Sequence, residues 1–145
     1  MSVAVIASAL SLYRVVRAAT AGRVGISNAS RAVIGTRILS AAGIRRADVV
    51  IEGMEQDAVF AATFMAPRAW QLRGLDSAAM THAVVVRAPA LQIEARDMRA
   101  ILIECGNFPP YATAVRALTG LHVYDLADAA GWLMAAQGGG MRSRS

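Results

Sequence analysis

The chain has a single cysteine, Cys105, which follows the apolar run Ile101-Leu102-Ile103 and precedes Pro109, Pro110 and the helix-forming stretch Tyr111 to Leu118. The apolar run reads as a short buried strand over Arg99 to Glu104. The prolines suit the first turn of a helix, whose N–H groups have no partner inside the helix. Cys105 is therefore expected in a strand-to-helix loop. In open parallel α/β sheets, ligands bind beyond the carboxyl ends of the strands, where free amides and helix N-terminal dipoles stabilise anions. Such a dipole also lowers a thiol pKa. The position suits a nucleophile or a proton-transferring thiol that reacts faster than free cysteine at neutral pH. A small buried hydrophobe is the other role open to it.

Other candidates lie in the loops around this position. Ser27, Asn28 and Ser30 follow a strand over Arg23 to Ser27 as Cys105 follows its own, so their short polar groups suit either carboxylate binding or helix capping. Asn107 offers an amide that orients a substrate or supports the loop. Glu104, if it faces the thiol, raises the thiol pKa, whereas strand alternation aims it at the opposite face. His82 and His122 are too far apart in sequence to suggest a local chelate, and a lone cysteine offers neither an intrachain disulfide nor a Cys-rich metal site, so no metal and no cofactor is expected.

Strands and helices alternate along the chain. Strands are expected over Ser2 to Ala7, Arg23 to Ser27, Asp48 to Glu52, Arg99 to Glu104 and His122 to Tyr124. Helices are expected over Leu10 to Ala19 and over Ser30 to Ala42, the second ending before Gly43 as a left-handed C-cap. Met54 to Gly74 reads as a short helix plus an irregular connection or lid on the cleft side. A long helix then runs from an Asp76 N-cap to Ala95, with Pro89 kinking or breaking it. A terminal helix spans Leu126 to Ala136, with Trp132 on its apolar side. Val3, Val5, Val24, Ile26, Val49, Val50 and Ile51 are the β-branched residues expected of strands covered on both faces. The fold class is α/β: a three-layer, mainly parallel doubly wound sheet with helices on both faces. One domain is expected over residues 1–137, with a flexible Gly/Arg/Ser tail over 138–145.

The segment Ile101 to Tyr111 resembles the second cysteine motif of the aspartate/glutamate racemase family, in the branch that usually reads Leu-Glu-Cys-Thr-Asn-Met-Pro-Pro-Tyr-Ala. Ala112 to Gly120 and Leu121 to Asp125 are similar to the family's next helix and its short strand ending in aspartate. Gly22 to Asn28, the helix to Ile44, and Val49 to Glu55 look like the opening of its second lobe. The resemblance implies a cofactor-independent amino-acid racemase lobe acting on a small amino-acid or other carboxylate substrate. It also implies Cys105 as the catalytic thiol, with Gly106, Asn107, Ser27 and Asn28 binding substrate. Family members join two such lobes, each giving one cysteine to a shared cleft, and the first-lobe cysteine has no counterpart in this sequence. Gly106 stands where the family usually carries Thr or Ser, keeping the backbone amide and losing the hydroxyl. Racemisation needs an acid and a base on opposite faces of a planar intermediate, and one thiol serves one face. A homodimer would supply a second thiol. Without one, the chain is expected to be a half-enzyme that is inactive alone, a non-catalytic remnant, or a single-cysteine decarboxylase-like enzyme that protonates one face.

Composition fits this picture. The 145 residues carry a net charge of +5, and all fifteen basic residues are arginine. The arginines are scattered, without a dense stripe or interleaved aromatics, so no nucleic-acid partner is expected, although an Arg-rich anion or nucleic-acid binder is the remaining non-enzymatic reading. Hydrophobic content is 56%, yet no apolar run approaches the roughly 18 to 20 residues that span a bilayer. Arg14 and Arg17 follow the apolar N-terminus instead of preceding it, unlike a signal peptide, so no membrane partner and a cytoplasmic location are expected.

Overall fold

The computed structural model describes residues 6–71 and 76–138. Four parallel strands, β1 (Arg23–Asn28), β2 (Val49–Gly53), β3 (Met98–Ile103) and β4 (His122–Tyr124), form a sheet in the order β2-β1-β3-β4. Helices α1 (Tyr13–Thr20), α2 (Thr36–Ala41), α3 (Ala58–Phe60), α4 (Ser77–Glu94), α5 (Ala112–Thr119) and α6 (Leu126–Gly138) surround it. This is the three-layer α/β arrangement expected from the alternation of elements.

Strand alternation divides the apolar residues between two cores. Val24, Ile26, Val49, Ile51, Ala100 and Leu102 face one way, onto Leu10, Tyr13, Val16, Leu39 and Ala129. Val50, Ile101 and Ile103 face the other way, joined by Met98 through the register shift at Arg99, onto α4, α5 and the segment after β2 through Phe60, Met80, Val84, Leu91 and Val115. Gly25 lies on this second face, where an added Cβ would come within 2.6 Å of Met98 Sδ and 3.3 Å of Leu91 Cδ1. Glycine there lets α4 approach the sheet closely.

Local chemistry accounts for the helix ends. Asp76 accepts the Ala79 N–H at 2.9 Å and caps α4. After α2 the Ile44 N–H reaches the Leu39 carbonyl at 2.8 Å and the Gly43 N–H reaches Ser40 at 3.0 Å, with Gly43 at φ +70. That pair of bonds is a Schellman motif, and the expected Gly43 cap is present.

Four expectations need correction. The helix over Ser30 to Ala42 is broken into a 3₁₀ turn at Arg31–Val33 and α2, because Gly35 adopts an extended conformation before α2. Pro89 does not break α4, which continues through it to Glu94. Its missing N–H removes one bond from a helix otherwise held by the buried residues Met80, Val84, Ala88 and Leu91. Trp132 is 46% exposed and rests edge-on against Tyr124, ring centroids 6.1 Å apart, instead of lying on a buried face. Helix α6 reaches Gly138, one residue into the expected tail; residues 139–145 lie outside the described residues. So do Ser2 to Val5 of the first expected strand, and the described Ile6 and Ala7 are irregular.

Candidate active site

Three strand ends converge at the carboxyl edge of the sheet. The Glu104 N–H donates to the Ser27 carbonyl at 2.9 Å, carrying the β1–β3 ladder past the end of β3, and the Met54 N–H bridges the Asn28 and Ala29 carbonyls at 3.2 and 3.1 Å. Cys105 follows in a turn closed by the Phe108 N–H donating to its carbonyl at 3.1 Å. The cysteine is therefore fixed at the carboxyl edge, where the sequence placed it.

Alternation settles the orientation of its neighbour. The Glu104 carboxylate points to the opposite face of the sheet, where it accepts the Ser8 hydroxyl at 2.8 Å and the Leu10 N–H at 3.1 Å. Cys105 belongs to the core beneath α4 and α5, packed with Phe60, Phe108, Tyr111 and Ala112. The Phe60 and Phe108 rings meet edge-on with centroids 5.2 Å apart. Phe60 lies in the short helix after β2, so that connection covers the cysteine loop and continues as a π turn over Ala61–Met65 and a 3₁₀ turn over Arg68–Trp70.

Burial sets the thiol's acidity. Desolvation raises the Cys105 pKa above the ordinary thiol value, opposed by the Asn107 and Ala29 backbone N–H groups and the Asn107 side chain, with a small further increase from the Glu104 charge. The lowering of the thiol pKa expected from a helix dipole is therefore corrected: the charged form loses more solvation than the amides return. The loop still has chemical use, because N–H groups near a sulfur stabilise a thiolate once it forms, or a carboxylate placed beside it.

The other sequence candidates divide. Gly106 and Asn107 are exposed beside the thiol, and an added Cβ on Gly106 would meet no atom within 4 Å. Ser27 lines a small cavity of about 10 Å³ between the sheet and α4, shared with Glu52 and Arg87. Buried Asn28 donates its side-chain amide to the Ser30 carbonyl at 3.0 Å, holding the loop after β1. Asn28 thus holds the loop that contains Ala29. Asp125 is buried as the cap of α6, accepting the Ala127 and Asp128 N–H groups at 2.7 and 3.1 Å, while Asp128 accepts the Asp125 N–H at 3.0 Å. His122 is exposed and stacks on Tyr124.

Two features of the site had no clear signal in the sequence. The Ala29 amide acts through the backbone, which residue type does not reveal. Glu52, in register beside Ser27, pairs with Arg87 at 3.4 Å with its side chain 15% exposed, and burial raises its pKa. A carboxylate at the end of an apolar strand was the one available hint. Among the described residues no group of three or more His, Cys, Asp or Glu is placed to hold a metal ion, and no helix is long and apolar enough to cross a membrane.

No family profile and no solved structure matches the chain. A dimethylsulfoniopropionate lyase from Durusdinium sp. clade D is 45% identical over 51 residues, which is 35% of this chain and 17% of that protein. The chain is thus matched to less than a fifth of that relative's length, and the similarity concerns a segment, not a whole architecture.

Proposed function

We propose that this chain is a cytoplasmic, cofactor-independent enzyme of the racemase type of lobe, which binds a small carboxylate and moves its Cα proton through Cys105. The observation that carries the reading is the placement of the thiol at the carboxyl edge of β3, in the turn that the Phe108 N–H closes on the Cys105 carbonyl. Amides that stabilise a thiolate also stabilise the negative charge that develops when a carbon acid beside a carboxylate is deprotonated.

Within that reading, elimination fits one thiol better than racemisation does. A racemase must return a proton to the face opposite the one it left, which Cys105 alone does not do. In a β-elimination the thiolate takes the Cα proton, the C–H electron pair becomes the Cα–Cβ double bond, and the bond from Cβ to the leaving group breaks with its electrons. A 3-sulfonio carboxylate loses a neutral sulfide in this way and leaves an unsaturated acid. No second thiol is needed. The segment shared with a protein named for lysis of dimethylsulfoniopropionate supports this choice. The racemase reading requires a homodimer that sets two copies of Cys105 across one cleft.

The test is deuterium exchange at Cα in heavy water together with headspace detection of dimethyl sulfide, using dimethylsulfoniopropionate and, separately, L-aspartate and L-glutamate. Exchange and sulfide release by the wild type that vanish in Cys105→Ser support elimination. Exchange with loss of optical rotation and no sulfide supports racemisation. Activity that survives in Cys105→Ser removes the thiol from the mechanism.

A further inference from the structure

Two charged residues meet beneath α4 among apolar neighbours. Glu52 is in register with Ser27, and Ser27 with Ile103, so all three point to the face of the sheet whose core holds Ile103 and Cys105. Arg87 reaches the same place from α4, and the four residues line the small cavity of about 10 Å³. Glu52 and Arg87 also line an open pocket of about 390 Å³ past the end of β2, together with Arg31 and Glu55. The pair therefore stands where a pocket of ligand size meets the interior, at the carboxyl edge of the sheet. It is a poor structural tie. Its contact is one bond of 3.4 Å between side chains 33% and 15% exposed, and burial raises the Glu52 pKa more than the nearby arginines lower it. An ion pair taken out of water offsets its desolvation only when further hydrogen bonds satisfy it. Arg87 makes no other side-chain hydrogen bond among the described residues. Arg31 differs, because its guanidinium reaches Glu94 at 3.0 and 3.3 Å and its backbone N–H is held by Glu55 at 3.0 and 3.1 Å. A guanidinium carries five N–H donors in a fork that grips a carboxylate with two at once, and Arg87 spends one. A buried, perturbed carboxylate with a specific charge partner in a cleft marks a binding or catalytic site more often than a purely structural one.

We propose that Arg87 binds the carboxylate group of the substrate, exchanging its single contact with Glu52 for a two-bonded grip on the ligand. The inference rests on the reading of the chain as an enzyme of small carboxylates and supplies the cation that holds them. Glu52, left by Arg87, takes a proton from solvent, so that no unpaired charge stays buried. The charges acting on Glu52 are Arg87 and Glu94 from α4 and Arg31 from the turn after β1, and Glu55 shares the pocket. Of these, Arg87 is the one that changes partner. Ligand binding therefore raises the Glu52 pKa, and affinity increases as pH falls through the Glu52 value in the complex.

The experiment needs no turnover. Propanoate is titrated into the full chain by calorimetry between about pH 8 and pH 6, above the titration of the ligand itself, in two buffers of different ionisation heat that report proton uptake. Wild type should bind with uptake of a proton, and Glu52→Gln should bind without it. Arg87→Gln should weaken binding roughly tenfold to a hundredfold, the scale of a charge-assisted hydrogen bond. Arg87→Lys, which keeps the charge and loses the fork, should fall between and carries the comparison if the glutamine variant does not fold. Absence of propanoate binding by the wild type, binding of equal strength in the Arg87 variants, or proton uptake that persists in Glu52→Gln overturns the inference. Cα deuterium exchange separates it from the reading beneath. Exchange that depends on Cys105 while binding ignores Arg87 overturns this inference alone, whereas binding through Arg87 with no exchange of any carboxylate overturns the proton-transfer reading.

Discussion

Replacing Glu104 should weaken the fold and make Cys105 more acidic at the same time. The carboxylate holds the entry to the first helix through the Ser8 hydroxyl at 2.8 Å and the Leu10 N–H at 3.1 Å. Each such bond contributes about 0.5 to 1.5 kcal/mol net, so Glu104→Ala should cost roughly 1 to 3 kcal/mol, and Glu104→Gln, which keeps an acceptor oxygen, the lower part of that range. At about 3 °C per kcal/mol for a chain of this size, the alanine variant should melt roughly 3 to 9 °C lower. The same charge raises the thiol pKa, so its removal lowers that pKa. Burial is the largest cause of the increase, so the thiol should stay above its ordinary value. Urea unfolding gives the stability change, and ultraviolet thiolate absorbance against pH gives the titration, with Cys105→Ser as the blank. A Glu104→Gln protein whose thiol titrates at unchanged or higher pH would refute the electrostatic argument. An alanine variant as stable as wild type would refute the structural one.

Three further outcomes follow from the geometry. Because the folded thiol holds its proton more tightly than the unfolded one, its contribution to stability is present below the unfolded thiol pKa and is lost as pH rises through the folded value. Tyr13 is raised as well, by burial first and then by Asp48, so the alkaline loss measured by urea unfolding should be smaller in Cys105→Ser than in wild type but not absent. Gly25→Ala should destabilise by about 1 to 3 kcal/mol through overpacking against Met98 and Leu91, and a neutral result in urea unfolding would show that α4 moves freely away from the sheet. Ala21 ends α1 in the left-handed region at φ +48, so Ala21→Gly should stabilise by roughly 0.5 to 1 kcal/mol, read as a higher urea midpoint.

Much of the fold was legible because its signals are local. The β-branched pairs at Val24 and Ile26 and at Val49 and Ile51 mark strands buried on both faces, and Asp76 and Gly43 mark helix ends by residue type. The break at Gly35 was not legible, because the apolar residues Ile34, Ile38 and Leu39 continue a helical rhythm across it. Only the packing of Ile34 and Leu39 into the same core fixes where the chain must bend. The tie between Glu104 and Ser8 joins residues 96 positions apart, and no pattern within a window of sequence announces it.

The site was legible in position and misleading in electrostatics, for one reason. A strand-to-helix loop predicts where a thiol sits, but its pKa depends on the core that buries it, and part of that core, Phe60, is delivered by a different connection. Cys105 is buried in the same core as Phe60 and Phe108, so the helix-terminus argument that favours a thiolate acts against a larger desolvation cost. A thiol that stays protonated at neutral pH is a poor standing nucleophile. It suits a carbon-acid reaction better, in which it holds or gives up a proton instead of attacking. Proton transfer through Cys105 should therefore accelerate with rising pH as the free thiol ionises, with no plateau near neutrality. A Cα exchange rate that levels off below the ordinary thiol pKa would mean that another group takes the proton, and Glu52, whose pKa is raised by burial near the same strand ends, would become the residue to replace next.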